Sequence, residues 1–167
     1  MKRISLFLLA ILAMSLCKAQ STFPANMPGD FKINYVDFGG EAGYYTHLEI
    51  SPEGCKYNYH NGYNAQHTYD NYNFTMTKAR LKSLKELYKS LLKINAFTLK
   101  GSNGEEMMID ASSESLGFEI GGKTYSIPND HNCAPWEGED IFSQAVQLIM
   151  DFCNKYRPSK QTQVIGI

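Results

Sequence analysis

The chain has 167 residues, with 16 Lys+Arg against 17 Asp+Glu and four cysteines. Without residues 1–19, an export signal by the reading below, thirteen basic residues face seventeen acidic ones, a formal −4. That balance excludes nucleic acid as a partner, because such binding draws on clustered positive charge. The remaining 148 residues suit one domain, which at that size buries roughly 70% of its unfolded surface without a disulfide lattice.

Residues 1–19 have the three parts of a signal peptide. Lys2 and Arg3 give the charged start, and residues 4–16 form an apolar run too short to span a bilayer comfortably. Cys17 and Ala19 put small residues at the −3 and −1 positions, which sets cleavage after Ala19. A lipoprotein would use Cys17 as the lipidated residue, but Leu16 stands where that site wants a small side chain. No later segment is apolar for long enough to cross a membrane. The expected address is periplasmic or secreted.

Residues 20–30 are a lead-in without periodicity. Phe31, Ile33 and Tyr35 alternate with Lys32 and Asn34, a strand reaching Phe38. The run from Gly39 to Gly43 turns the chain into a second strand, residues 44–50, which ends at Ser51-Pro52-Glu53-Gly54. Residues 55–60 form a third strand, and Asn61-Gly62 favours a tight reversal, since both residues tolerate positive φ. A fourth strand spans 68–76, with Asp70, Tyr72, Phe74 and Met76 on one face.

Residues 77–97 carry the strongest periodicity. Leu81, Leu84, Leu87, Tyr88, Leu91 and Leu92 recur at three- and four-residue steps and share one side of a helix. Thr77 is its N-cap. Lys78, Lys82, Lys85, Lys89 and Lys93 line another side, either as a solvated face or as a dock for an acidic partner. After a loose stretch at 101–104, residues 107–110 make a short strand. Gly121-Gly122 then joins strands at 116–120 and 123–127 as a hairpin. Residues 128–138 read as a long loop holding the single tryptophan. A second amphipathic helix starts at Asp140, with Phe142, Ala145, Val146, Ile149, Phe152, Cys153 and Tyr156 inward, and stops by Pro158.

The order β-β-β-β-α-β-β-α, with hairpin-length links, predicts an α+β fold: an antiparallel sheet with two amphipathic helices packed on one face. One domain occupies 31–157, and residues 158–167 form a flexible tail in which 164–167 could add to a sheet edge.

No catalytic, cofactor or metal constellation emerges. The glycines at 39–43 join two strands and lack phosphate-loop spacing. His60, His67, Asp130, His131 and Cys133 lack zinc-site spacing. Cys133 has His131 two residues away, but nucleophile and base are brought together by a fold rather than by adjacency. Glu105-Glu106 and the pair Glu137, Glu139 fall in loops where solvation explains them. Three cysteines follow the leader. Cys153 sits on the apolar helix face as a buried thiol, so by elimination Cys55 and Cys133 are the candidate disulfide in an oxidising compartment.

What stands out is the composition of residues 57–74, rich in Tyr, Asn and His with hardly an aliphatic side chain. Alternation sends Tyr57 and Tyr59 to one face and Lys56, Asn58 and His60 to the other, with Tyr63 near the tip. Large amphipathic rings beside small polar groups suit a recognition surface; an exposed sheet using tyrosine for its β-propensity is the plainer alternative. The candidate binding residues are Tyr57, Tyr59, His60, Tyr63, His67, Tyr69 and Trp136. Trp136, in a Pro/Gly-framed loop, is either a lid over the core or an anchor for a partner.

The early strand leading into Gly39-Gly40, the Thr77-capped helix with Leu81, Leu84, Leu87 and Leu91 closed by Phe97, then Asp110, a hairpin and a final helix together resemble emfourin-like domains. That resemblance implies a small inhibitor of thermolysin-type metalloproteases. The Tyr/Asn-rich insertion at 57–73 and the export signal depart from the family pattern, so no inhibitory residue carries over. The functional expectation is a non-enzymatic exported protein without cofactor. It masks a protein partner through the hairpin, as an inhibitor or immunity protein does. A glycan or small-ligand module is the first alternative, and a small hydrolase the second.

Overall fold

The computed structural model describes residues 23–40, 43–62, 66–102, 112–130, 135–159 and 163–166. Among these, β1 (Lys32–Phe38), β2 (Tyr44–Ile50), β3 (Gly54–Asn61) and β4 (Gln66–Thr75) precede helix α1 (Lys78–Lys93) and a 3-10 turn (Ala96–Thr98). Then come β5 (Ser113–Ile120), β6 (Lys123–Asp130), α2 (Glu139–Tyr156) and β7 (Gln163–Gly166). The strands form one seven-stranded sheet in the order β6-β5-β1-β2-β3-β4-β7. Every pairing is antiparallel.

The first strand, β1, lies inside the sheet, third of the seven. Three consecutive pairings carry it outward from β1 to β4. Helix α1 brings it back so that β5 pairs with the other side of β1, and α2 returns it to the far edge, where β7 pairs with β4. The two long returns need cover. Both helices lie on one face of the sheet, as the alternation of apolar residues predicts.

That face is the core. Ile33 and Tyr35, Leu48 and Ile50, Cys55, Phe74, Leu116 and Phe118, and Ile127 point into it from six strands. Helix α1 contributes Leu84, Leu87, Tyr88 and Leu91, and α2 contributes Phe142, Ala145, Ile149, Phe152 and Cys153. Leu81 and Leu92 on α1, with Val146 and Tyr156 on α2, pack at the margin. Phe97 sits at the centre, its ring 4.8 Å from Phe118, 5.2 Å from Tyr88 and 5.3 Å from Phe23.

Local signals act as their chemistry requires. Thr77 accepts a hydrogen bond from the Arg80 amide at 3.3 Å and caps α1. The Gly121-Gly122 turn has φ of 60° and 74°, values that cost an L side chain roughly 1–2 kcal/mol. Asp30 accepts from both glycine amides, which holds its carboxyl below the usual range.

Several strands reach further than the sequence reading: β4 starts at Gln66 rather than 68 and β5 at Ser113 rather than 116. The strand assigned to 123–127 continues through Pro128 to Asp130. Proline lacks a ladder donor, but β6 is an outer strand, where one side needs none. The tail takes the sheet-edge course over Gln163–Gly166. The leader, the short strand at 107–110, Tyr63 and Cys133 lie outside the described residues.

Candidate functional site

Period-two alternation gives the sheet two faces, and the helices cover one. On the other, the registers place Phe38 opposite Tyr45, Tyr45 opposite His60, and His60 opposite Tyr69. These four rings form a row across β1, β2, β3 and β4. Three interstrand gaps make it roughly 14 Å long. His60 and Tyr69 stack with centroids 4.6 Å apart and planes 15° apart. Phe38 is 47% exposed and Tyr45 39%, the large apolar side chains most open to solvent among the described residues.

The polar part of this face lies beside the row. A groove of about 660 Å³ crosses the strands, lined by Asn34, Glu49, Lys56, Asn73, Ser115 and Ser126 among others. Small groups on β5 and β6 leave it hollow, with Gly117 opposite Asn34 on one side and Ser126 on the other. Gly54 sits at its end, where a Cβ would lie 2.7 Å from the Phe74 carbonyl oxygen; glycine lets β3 and β4 close there. His47 Nε2 lies 3.1 Å from Asn34 Oδ1 and 3.7 Å from Glu49 Oε1. Lys32 pairs with Glu119 at 2.9 Å, and that hydrogen bond raises the lysine pKa. Lys32 and Glu119 are thus paired at the end of the face.

The Tyr/Asn-rich hairpin is divided between the two faces. His60 and Tyr69 are on the open side. Tyr57 and Tyr72 stack at 4.8 Å on the helix side, half-buried, with the Arg157 guanidinium 5.3 Å from the Tyr72 ring and paired with Asp70. Burial raises both phenol pKa values. Tyr59 is also on the helix side, opposite Asp70. His67 lies in β4, in register with Ile165. Trp136 is half-buried over Phe142, and its indole N–H donates to Asn129 Oδ1 at 2.9 Å. With its ring on the core and its donor used, Trp136 has the geometry of a lid.

Sequence reasoning missed the polar chain that Trp136 completes. Asn129 Nδ2 donates to Glu114 Oε2 at 3.0 Å, and the Tyr35 hydroxyl donates to Glu114 Oε1 at 2.6 Å. Burial, then Glu114, pushes the Tyr35 pKa far above the ordinary phenol value. These residues satisfy one another and act as a structural network. Phe38 and Tyr45 were also missed. Their signal was available in sequence: each is an aromatic residue on the polar parity of its strand.

Cys55 lies against Cys153 rather than near the surface, with Sγ atoms 3.9 Å apart and both thiols free. Among the described residues no cluster of three His, Cys, Asp or Glu side chains could hold a metal ion. No helix among them is long and apolar enough to cross a membrane. The lysine stripe of α1 faces solvent, with Lys89 paired to Glu86 at 3.2 Å. No protein-family model matches the chain, and no curated protein matches it.

Proposed function

We propose that this chain is an exported, non-enzymatic binding protein that presents the uncovered face of its sheet to a protein partner. The observation that carries the reading is the aromatic row, with Phe38 and Tyr45 exposed in line with the His60–Tyr69 stack. Interface cores favour aromatic residues within a polar rim. The row has such a rim in Asn58, Asn71 and the polar residues of the groove. An inhibitor- or immunity-like role, including the metalloprotease inhibition implied by the emfourin-like pattern, is one form of this function.

The test is capture from the producing organism's envelope and secreted fractions, followed by binding measurements with the purified partner. The F38A/Y45A variant should lose at least tenfold in affinity, while Trp136→Phe, on the opposite face, should bind as the wild type does. Equal affinity of all three proteins would refute the assignment of the face.

A glycan is the second reading, favoured by the groove's amide, hydroxyl and carboxylate lining. Calorimetric titration with soluble polysaccharide fragments separates the two. Saturable heat that is lost on Asn34→Ala and retained in F38A/Y45A would move the function to the groove.

A further inference from the structure

The geometry points to a covalent cross-link site between the sheet and the helix layer, a Cys55–Cys153 disulfide in the oxidised protein. Cys55 projects from β3 into the core at 2% exposure, and Cys153 meets it from α2 at 0%. Their sulfurs are 3.9 Å apart, although the residues are separated by 98 positions. A disulfide requires about 2.05 Å, so the approach is roughly 1.9 Å, shared between two side chains that already face each other. Cys55 Sγ lies under α2, and Cys153 is the cysteine it meets there.

The contact with Cys55, then burial, pushes the Cys153 thiol pKa up. Thiol–disulfide exchange proceeds through the thiolate, so the folded core slows oxidation, and reduction has to be carried out on the unfolded chain. Bond formation belongs to folding, before the two residues are covered. One thiolate attacks a donor disulfide, giving a mixed disulfide and one donor thiol. The second thiolate then displaces the other donor sulfur. Two electrons pass from the two cysteines to the donor, and the two cysteine protons end on the two donor thiols. The product ties β3, which presents His60 to the open face, to the helix behind it.

The experiment refolds the reduced chain with oxidised glutathione, alkylates the remaining thiols, and maps peptides without reduction. A Cys55–Cys153 linked peptide with Cys133 alkylated is the expected result. Closing a loop of nearly 100 residues should raise the melting temperature by roughly 10 °C. Reduction should remove that increment in wild type and in Cys133→Ser, and have no effect in C55A/C153A. A Cys55–Cys133 link, or three alkylated thiols, would overturn the proposal. The peptide map is made on the wild-type chain, so it stands even where the double variant does not fold. Reduced, already folded protein should oxidise much more slowly under the same glutathione disulfide; equal rates would refute the role of burial.

Discussion

Tyr35 gives a stability signature at high pH. Its hydroxyl is on the core side of β1, 5% of the residue is exposed, and it donates to Glu114 at 2.6 Å. Ionising the phenol would bury a charge and place it against a carboxylate, so the folded chain keeps the proton while the unfolded chain loses it near pH 10. A pKa raised on folding leaves stability intact below the unfolded value and removes it as pH climbs above that value, because the native state then binds more protons. The loss is about 1.4 kcal/mol per pH unit for a tyrosine that stays protonated, or roughly 2 kcal/mol between pH 9 and 11.5.

Tyr35→Phe separates this effect from general alkaline unfolding. At pH 8 the variant should be about 1–3 kcal/mol less stable, because Glu114 loses a donor in a buried place. Above pH 10 the wild type alone bears the Tyr35 penalty, so the gap should shrink by roughly 2 kcal/mol by pH 11.5. Urea unfolding followed by far-UV circular dichroism, at constant ionic strength from pH 8 to 11.5, measures both curves. A gap that stays constant with pH would show that Tyr35 ionises as easily folded as unfolded, and the buried Tyr35–Glu114 contact would then be wrong.

Three further outcomes distinguish the two faces and the helix layer by urea unfolding at neutral pH. Phe97→Ala should cost about 3–5 kcal/mol, because it opens a cavity beneath Tyr88 and Phe118, while Phe38→Ala should stay within about 0.5 kcal/mol; equal costs would invert the assignment of the faces. Arg157→Ala should cost about 1–3 kcal/mol, since it leaves the Asp70 carboxylate half-buried without its ion pair and strips the cation from Tyr72. Thr77→Ala should cost about 1 kcal/mol through the lost cap of α1, whereas no change would mean that the Arg80 amide is satisfied elsewhere.

Most of the fold was legible because its signals are local. A leucine period fixes α1, alternation fixes β1 and β3, and Gly121-Gly122 fixes the last hairpin. The site was legible in part. Alternation correctly set Tyr57 and Tyr59 apart from His60, yet composition alone treated the hairpin as one surface. Register across several strands supplies what was missing: the successive pairings of β1, β2, β3 and β4 put Phe38 and Tyr45 in one row with His60 and Tyr69. Cys55 and Cys153 meet for the same reason, through a packing of α2 on β3 that no local pattern encodes. Pro128 was misread as a loop because its tolerance depends on β6 being outermost.

The division of the hairpin strengthens the case for recognition. Rings that lie on a sheet anchored from behind have little freedom to lose when a partner covers them, and binding is favoured by whatever ordering has been completed in the free protein. Here the backing is specific. Tyr57 and Tyr72 stack under the strands that present His60 and Tyr69, Arg157 closes over Tyr72, and Cys55 meets α2 at the base of the same hairpin. On the proposed function, the half-buried tyrosines serve the open face by holding its strands in register. If that is how the hairpin works, Tyr72→Leu should fold and still bind more weakly, through faster dissociation, than the wild type. Unchanged dissociation would mean that the open face keeps its shape without the stack behind it.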